Sequence, residues 1–131
     1  MKEPGNRTVE GFFEGRPEAL MYFEALREEI EALGPVKLEV MKTQVSFAAE
    51  RKFAWVWLPQ MWTRKRPETS ITLTFCLDRE VRHPKIVEAV EPSPGKWTHH
   101  ILINRIEDLD DEVRDWLREA YDFGSRLKSG R

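Results

Sequence analysis

Apolar residues along this chain recur first at helical spacing, then at strand spacing, and finally at helical spacing again. Thr8 is a suitable N-cap for a short first helix, Val9 to Glu14, which Gly15 ends. Pro17 suits the first turn of a second helix, where a missing N–H costs nothing. Leu20, Phe23, Leu26, Ile30 and Leu33 then form one apolar stripe, with Glu24, Arg27, Glu28 and Glu31 largely outside it. Gly34-Pro35 is a stop signal.

From Val36 the period falls to two. Leu38 and Val40, Val45 and Phe47, Phe53 with Trp55 and Trp57, and Ile71 with Leu73, Phe75 and Leu77 each alternate with their neighbours. These runs are short and rich in β-branched and aromatic residues, so they read as four strands. By this alternation Trp55 and Trp57 share the core face with Phe53. The links around Lys42-Thr43, Glu50-Arg51 and Gln60 to Glu68 are too short for helical crossovers, so antiparallel pairing is predicted. Ile86 to Val90 fits one helical turn or an edge strand. The Ser93-Pro94-Gly95 turn and the strand pattern from Trp97 to Asn104 favour a hairpin. A last helix carries Val113, Trp116, Leu117, Ala120 and Tyr121 on one face. Asp108, Asp110, Asp111 and Glu112 lie at its start, and Arg126, Lys128 and Arg131 at its end, each the sign that the helix dipole favours.

The predicted order is α-α-β-β-β-β-β-β-α. It describes an α+β domain over residues 8–127, one antiparallel sheet of about six strands with helices from both chain ends packed against it. Residues 1–7 and 128–131 are expected to be flexible tails. At 131 residues the chain can bury a core without metal or disulfide staples. Its longest stretch without a charge, Phe53 to Thr63, is too short to span a membrane. The N-terminus lacks the apolar segment of a secretion signal, and the lone Cys76 cannot form an internal disulfide. A cytoplasmic protein is expected.

The net charge of −2 is unevenly spread. Residues 51–85 hold eight basic and three acidic side chains between two acidic flanks. Such a segment can face an anion or a nucleic acid, or simply carry basic loops beside acidic helices.

Several stretches resemble a known family. They are Thr8-Val9-Glu10-Gly11-Phe12-Phe13-Glu14-Gly15, Lys42-Thr43 with Phe47 behind it, Pro94-Gly95-Lys96-Trp97-Thr98-His99-His100, and Glu107-Asp108-Leu109-Asp110-Asp111-Glu112 leading into Trp116-Leu117-Arg118-Glu119-Ala120-Tyr121. From Thr8 to Tyr121 the chain resembles the bacterial family known as domain of unknown function 5655. The resemblance implies an α+β fold and brings no established activity. In architecture the chain is also similar, more distantly, to the frataxin-like iron chaperones.

Candidate chemistry centres on Trp97-Thr98-His99-His100. On a strand the two imidazoles point to opposite faces, so they cannot share one metal. Either can serve as an acid–base group or a ligand contact, or be satisfied within the core. Thr72, Thr74 and Cys76 would share a face with Thr98 and His100 if those strands pair, and would then line a small polar pocket. Lys42 at a strand end can reach an anion. Trp62, beside Arg64, Lys65 and Arg66, can stack on a base or meet an anionic partner. The acidic run Glu107, Asp108, Asp110, Asp111 and Glu112 lacks the spacing of an EF-hand loop and is accounted for by the helix dipole. Cys76 reads as buried filler.

Walker, dinucleotide, zinc-ligand and GxSxG motifs are absent, so no cofactor or metal is expected. The expected function is a small cytoplasmic binding module without catalytic activity, for a small anionic ligand or a protein partner. Its candidate contacts are Lys42, Trp62, Arg64, Arg66, Trp97, His99 and His100. The alternatives are an acid–base enzyme using His99 or His100, and nucleic-acid binding through residues 51–85.

Overall fold

A computed structural model describes residues 7–59 and 67–126. It contains α1 (Val9–Phe12), α2 (Pro17–Glu31), β1 (Lys37–Val40), β2 (Gln44–Ala48), β3 (Lys52–Trp57), β4 (Ile71–Leu77), β5 (Ile86–Ser93), β6 (Lys96–Ile103) and α3 (Asp111–Ser125), with a 3₁₀ turn at Ile106–Asp108. The six strands form one antiparallel sheet in the order β1-β2-β3-β4-β6-β5. This is the predicted α+β architecture, including the β5–β6 hairpin. Of the expected tails, only Arg7 lies within the described residues. No described helix is long and apolar enough to cross a membrane.

Helices α2 and α3 lie against the same face of the sheet, and the end of α1 packs on α2. Phe13 packs on Phe23 of α2 at 4.9 Å between ring centroids, and Phe23 stacks on Phe47 of β2 at 5.9 Å. On α3, Trp116 stacks on Phe75 of β4 at 5.5 Å. The sheet side of this core is Val45, Phe47, Ala54, Val56, Leu73, Phe75 and Ile101, all buried. Burying such side chains contributes roughly 1.5–3 kcal/mol each, which is why this one layer organises the whole domain.

The helices differ from expectation in detail. The first ends at Phe12, two residues early, because the chain turns there and Arg16 donates its N–H to the Phe13 carbonyl. The second ends at Glu31, short of the predicted Leu33, buries Ala19 and Tyr22 together with Phe23, Leu26 and Ile30, and leaves Leu20 only partly covered. The buried face is therefore turned toward Ala19 and Tyr22, so that Phe23 and Ile30 point at the sheet. At the start of α3, Asp110 caps the helix by accepting the Val113 N–H at 3.1 Å, as its acidic start predicts. At the other end the Arg51 guanidinium, from the β2–β3 turn, donates to the Phe123 carbonyl at 2.9 Å. Arg51 also donates its backbone N–H to the Gly124 carbonyl. A Cβ at Gly124 would sit 3.0 Å from the Arg51 carbonyl oxygen, so glycine permits this close approach.

The main correction concerns β3. Phe47 pairs with Ala54, but Ala48 pairs with Lys52, so Phe53 is an extra residue in a β-bulge. Phe53 and Ala54 are consequently both buried, and Phe53 meets Tyr121 of α3 edge-on at 5.5 Å. Beyond the bulge the faces exchange. Ala54 and Val56 point to the helices, and Trp55 and Trp57 point away from them. The expectation that both tryptophans join Phe53 in the core counted alternation across the bulge and inverted their side.

Candidate functional site on the helix-free face of the sheet

The face away from the helices carries one residue from each strand in a single register row: Glu39, Ser46, Trp55, Thr74, His100 and Glu88. The neighbouring row includes Gln44, Trp57, Thr72 and Leu102, and on the other side Cys76 pairs with Thr98. Polar side chains dominate the centre, and Ser46, Thr72, Thr74 and His100 are all buried. A buried polar group is costly unless it is hydrogen-bonded, so the bonds these groups make define the site.

Trp57 stands opposite Thr72, but its indole slants along β4 and donates Nε1–H to Thr74 Oγ1 at 3.0 Å. Thr74 Oγ1 lies 2.7 Å from His100 Nδ1. A tryptophan, a threonine and a histidine on three adjacent strands thus form one hydrogen-bonded chain. The chain holds the Trp57 ring in one orientation on a partly exposed surface shared with Trp55. Chemically this is a rigid aromatic platform above a polar floor that contains a titratable imidazole. Burial pushes the nearby Cys76 thiol above its ordinary range, against the opposing influence of Lys96 and Arg51, so it stays protonated and unreactive.

Replacing Thr74 by Val removes the acceptor of the Trp57 indole and the partner of His100 while preserving shape. The expected loss is about 1–3 kcal/mol of stability, measured by urea denaturation, with Thr74→Ser recovering most of it. A Thr74→Val protein as stable as the wild type would show that the chain contributes nothing.

Among the described residues, the structure does not bring the sequence-derived contacts together. His100 lies at the centre of this face. His99, on the same strand, lies on the helix side, fully buried and stacked on Phe75 at 5.1 Å. Its Nε2 accepts the Val81 N–H at 2.9 Å, so the proton must sit on Nδ1, which has no hydrogen-bond partner. Burial pushes its pKa below the usual histidine range. The Phe75 backbone favours the protonated ring without reaching hydrogen-bond geometry. Such an imidazole is a structural group, and the acid–base reading retains only His100. Lys42 is exposed in the β1–β2 turn, at the end of the sheet where Gln44 pairs with Trp57. Trp97 pairs with Leu77 at the opposite end, on the helix side. Trp62, Arg64, Lys65 and Arg66 lie outside the described residues.

Among the described residues, the basic side chains of the middle segment are matched within the molecule. Arg79 makes two hydrogen bonds to Glu119, at 2.7 and 2.8 Å, Lys85 pairs with Asp110, and Lys52 pairs with Glu39 at 3.4 Å. Arg82 pairs with Glu80, and Arg51 serves the end of α3. The acidic run is engaged as well. Asp108 accepts the Asn104 N–H, Asp111 pairs with Arg114, and Glu112 lies 3.5 Å from His83.

Trp55 and Trp57 are the residues that sequence reasoning assigned to the wrong side. The signal that could have placed them is the Phe53-Ala54-Trp55-Val56-Trp57 run itself, whose small residues alternate with indoles. A face packed under helices more naturally takes the Ala54 and Val56 side.

Among known proteins, no curated sequence and no solved structure gives a match. The more distant likeness to frataxin-like domains therefore gains no support. One family model does match, over residues 9–124, described as a domain of unknown function, DUF5655. It spans every described helix and strand but for the last residue of α3, and the chain belongs to the DUF5655 family.

Proposed function

We propose that the protein is a binding module that takes a small planar anionic molecule on the helix-free face of its sheet. The observation that carries this reading is the Trp57–Thr74–His100 chain, which orients an indole and supports it from beneath. A rigid aromatic surface loses little conformational entropy on stacking a flat ligand. His100 supplies a hydrogen-bonded imidazole beneath the indole, and Lys42 is exposed at the Trp57 end of the same sheet. The setting is a bacterial cytoplasm, in keeping with a single cysteine that has no internal partner.

The test is an NMR titration with a nucleoside 5′-monophosphate as probe, beside the uncharged nucleoside. The indole Nε1–H signals of Trp55 and Trp57 and the amides of Thr74 and His100 should shift and saturate at millimolar or lower monophosphate. The nucleoside should bind more weakly, and Trp57→Ala should abolish the response. Shifts confined to other surfaces, or no shifts at millimolar probe, would remove the proposal. Equal response to the nucleoside would remove its anionic part.

A further inference from the structure

The connection from β4 to β5, residues 78–85, runs back along α3 and is tied to it over its whole length. Asp78 pairs with Arg126 at 3.1 Å, Arg79 with Glu119, His83 with Glu112, and Lys85 with Asp110. Ascending positions on the strap meet descending positions on the helix. Beneath lies an aromatic stack of His99, Phe75 and Trp116, and the His83 ring meets Trp116 edge-on at 5.2 Å.

Two backbone amides of this strap are held by imidazoles. Val81 donates its N–H to His99 Nε2 at 2.9 Å, and Lys85 donates its N–H to His83 Nδ1 at 3.1 Å. A ring nitrogen that accepts a bond cannot also carry a proton. The closed strap therefore requires neutral His99 and a His83 without a proton on Nδ1. Protonating His99 would set an Nε2–H against the Val81 N–H, inside a core where the other ring nitrogen has no hydrogen-bond partner.

We propose that residues 78–85 form a proton-sensitive strap, closed over the Phe75–Trp116 stack while both imidazoles accept its amides and released when they are protonated. The charged groups facing His99 are Arg79 and Glu80 of the strap and Glu119 of α3. Those facing His83 are Glu112 and, through the adjoining pair, Lys85 and Asp110. A proton on His83 Nδ1 would set an N–H against the Lys85 N–H, so both imidazoles act in the same direction.

The sign follows from proton counting. The closed strap binds fewer protons than the open one, so acid favours opening. Burial lowers the His99 pKa, so closure persists somewhat below the ordinary histidine value of about 6.5 and fails below that. Ion pairs to carboxylates ordinarily survive to about pH 4, so this release precedes their loss. Partial burial works to raise the Asp110 carboxyl, but Lys85 and the Val113 N–H together hold it below its usual value.

Amide hydrogen exchange on the full chain, corrected for the intrinsic effect of pH, tests the strap. Protection at Val81 and Lys85 should fall about tenfold or more between pH 7.5 and 5, while Val56 and Leu73 keep theirs. In His99→Gln, whose amide oxygen can accept from Val81 without titrating, Val81 protection should become independent of pH. His83→Gln should do the same for Lys85 and serves alone if the first variant does not fold. Flat wild-type protection at both amides overturns the proposal, and so does loss in step with Leu73, which would be global unfolding.

Discussion

Phe75→Ala should cost about 3–5 kcal/mol of stability, a large part of the 5–15 kcal/mol that holds most domains folded. Phe75 is fully buried at the middle of β4, the strand on which β3 and β6 both pair. Its ring stacks on His99 with planes 13° apart and on Trp116 with planes 18° apart. Removing it takes away apolar contact on both sides and opens a cavity between a strand and a helix. Neither can close the gap alone, since each is anchored elsewhere. Phe75→Leu should cost about 1–2 kcal/mol, because most of the volume remains. Urea denaturation of both variants measures the difference. A loss below about 1 kcal/mol for the alanine variant would mean that Trp116 and His99 collapse onto each other and that this layer is not the centre of the core.

Gly34→Ala should destabilise the protein by about 2–4 kcal/mol, from two sources that can be separated. Gly34 has a φ of +151°, where side chains are strained. An added Cβ would also lie 2.3 Å from the Tyr121 hydroxyl oxygen and 2.9 Å from its Cζ. The tyrosine cannot simply swing aside, for its hydroxyl donates to the Pro35 carbonyl at 3.1 Å and its ring meets Phe53. In the Tyr121→Leu background the steric part should vanish, leaving a backbone part of about 1–3 kcal/mol for Gly34→Ala. Thermal unfolding of the four proteins of this cycle checks the division. Equal costs in both backgrounds would show that the ring yields freely.

The alternation in β4 and β6 was enough to give Thr74 and His100 a shared face once those strands pair, and to set His99 and His100 on opposite faces, because both strands are regular over their paired lengths. The helix order and the hairpin of β5 with β6 were legible for the same reason: period and turn chemistry are local. What escaped was non-local. The Phe53 bulge depends on how β3 meets β2. The partners of Arg51, Arg79 and Lys85 lie 72, 40 and 25 positions along the chain, so these three basic residues that looked available are engaged by the α3 region. The Trp57 indole reaches Thr74 rather than its register partner Thr72, a slant that pairing rules alone do not contain.

The bulge at Phe53 also sets a rule about chain length. Upstream of it the helix side of the β2–β3 hairpin falls on odd positions, Val45 and Phe47, and downstream on even ones, Ala54 and Val56. Hairpin tips ordinarily accept insertions and deletions. Here the loss of Phe53 would restore strict alternation with Ala48 still opposite Lys52 and Phe47 still opposite Ala54, so both indoles would keep their side and only the Phe53 contact with Tyr121 would go. Homologous chains one residue shorter at this point should therefore keep the alternation from Ala54 to Trp57 and differ only in what packs against Tyr121 of α3.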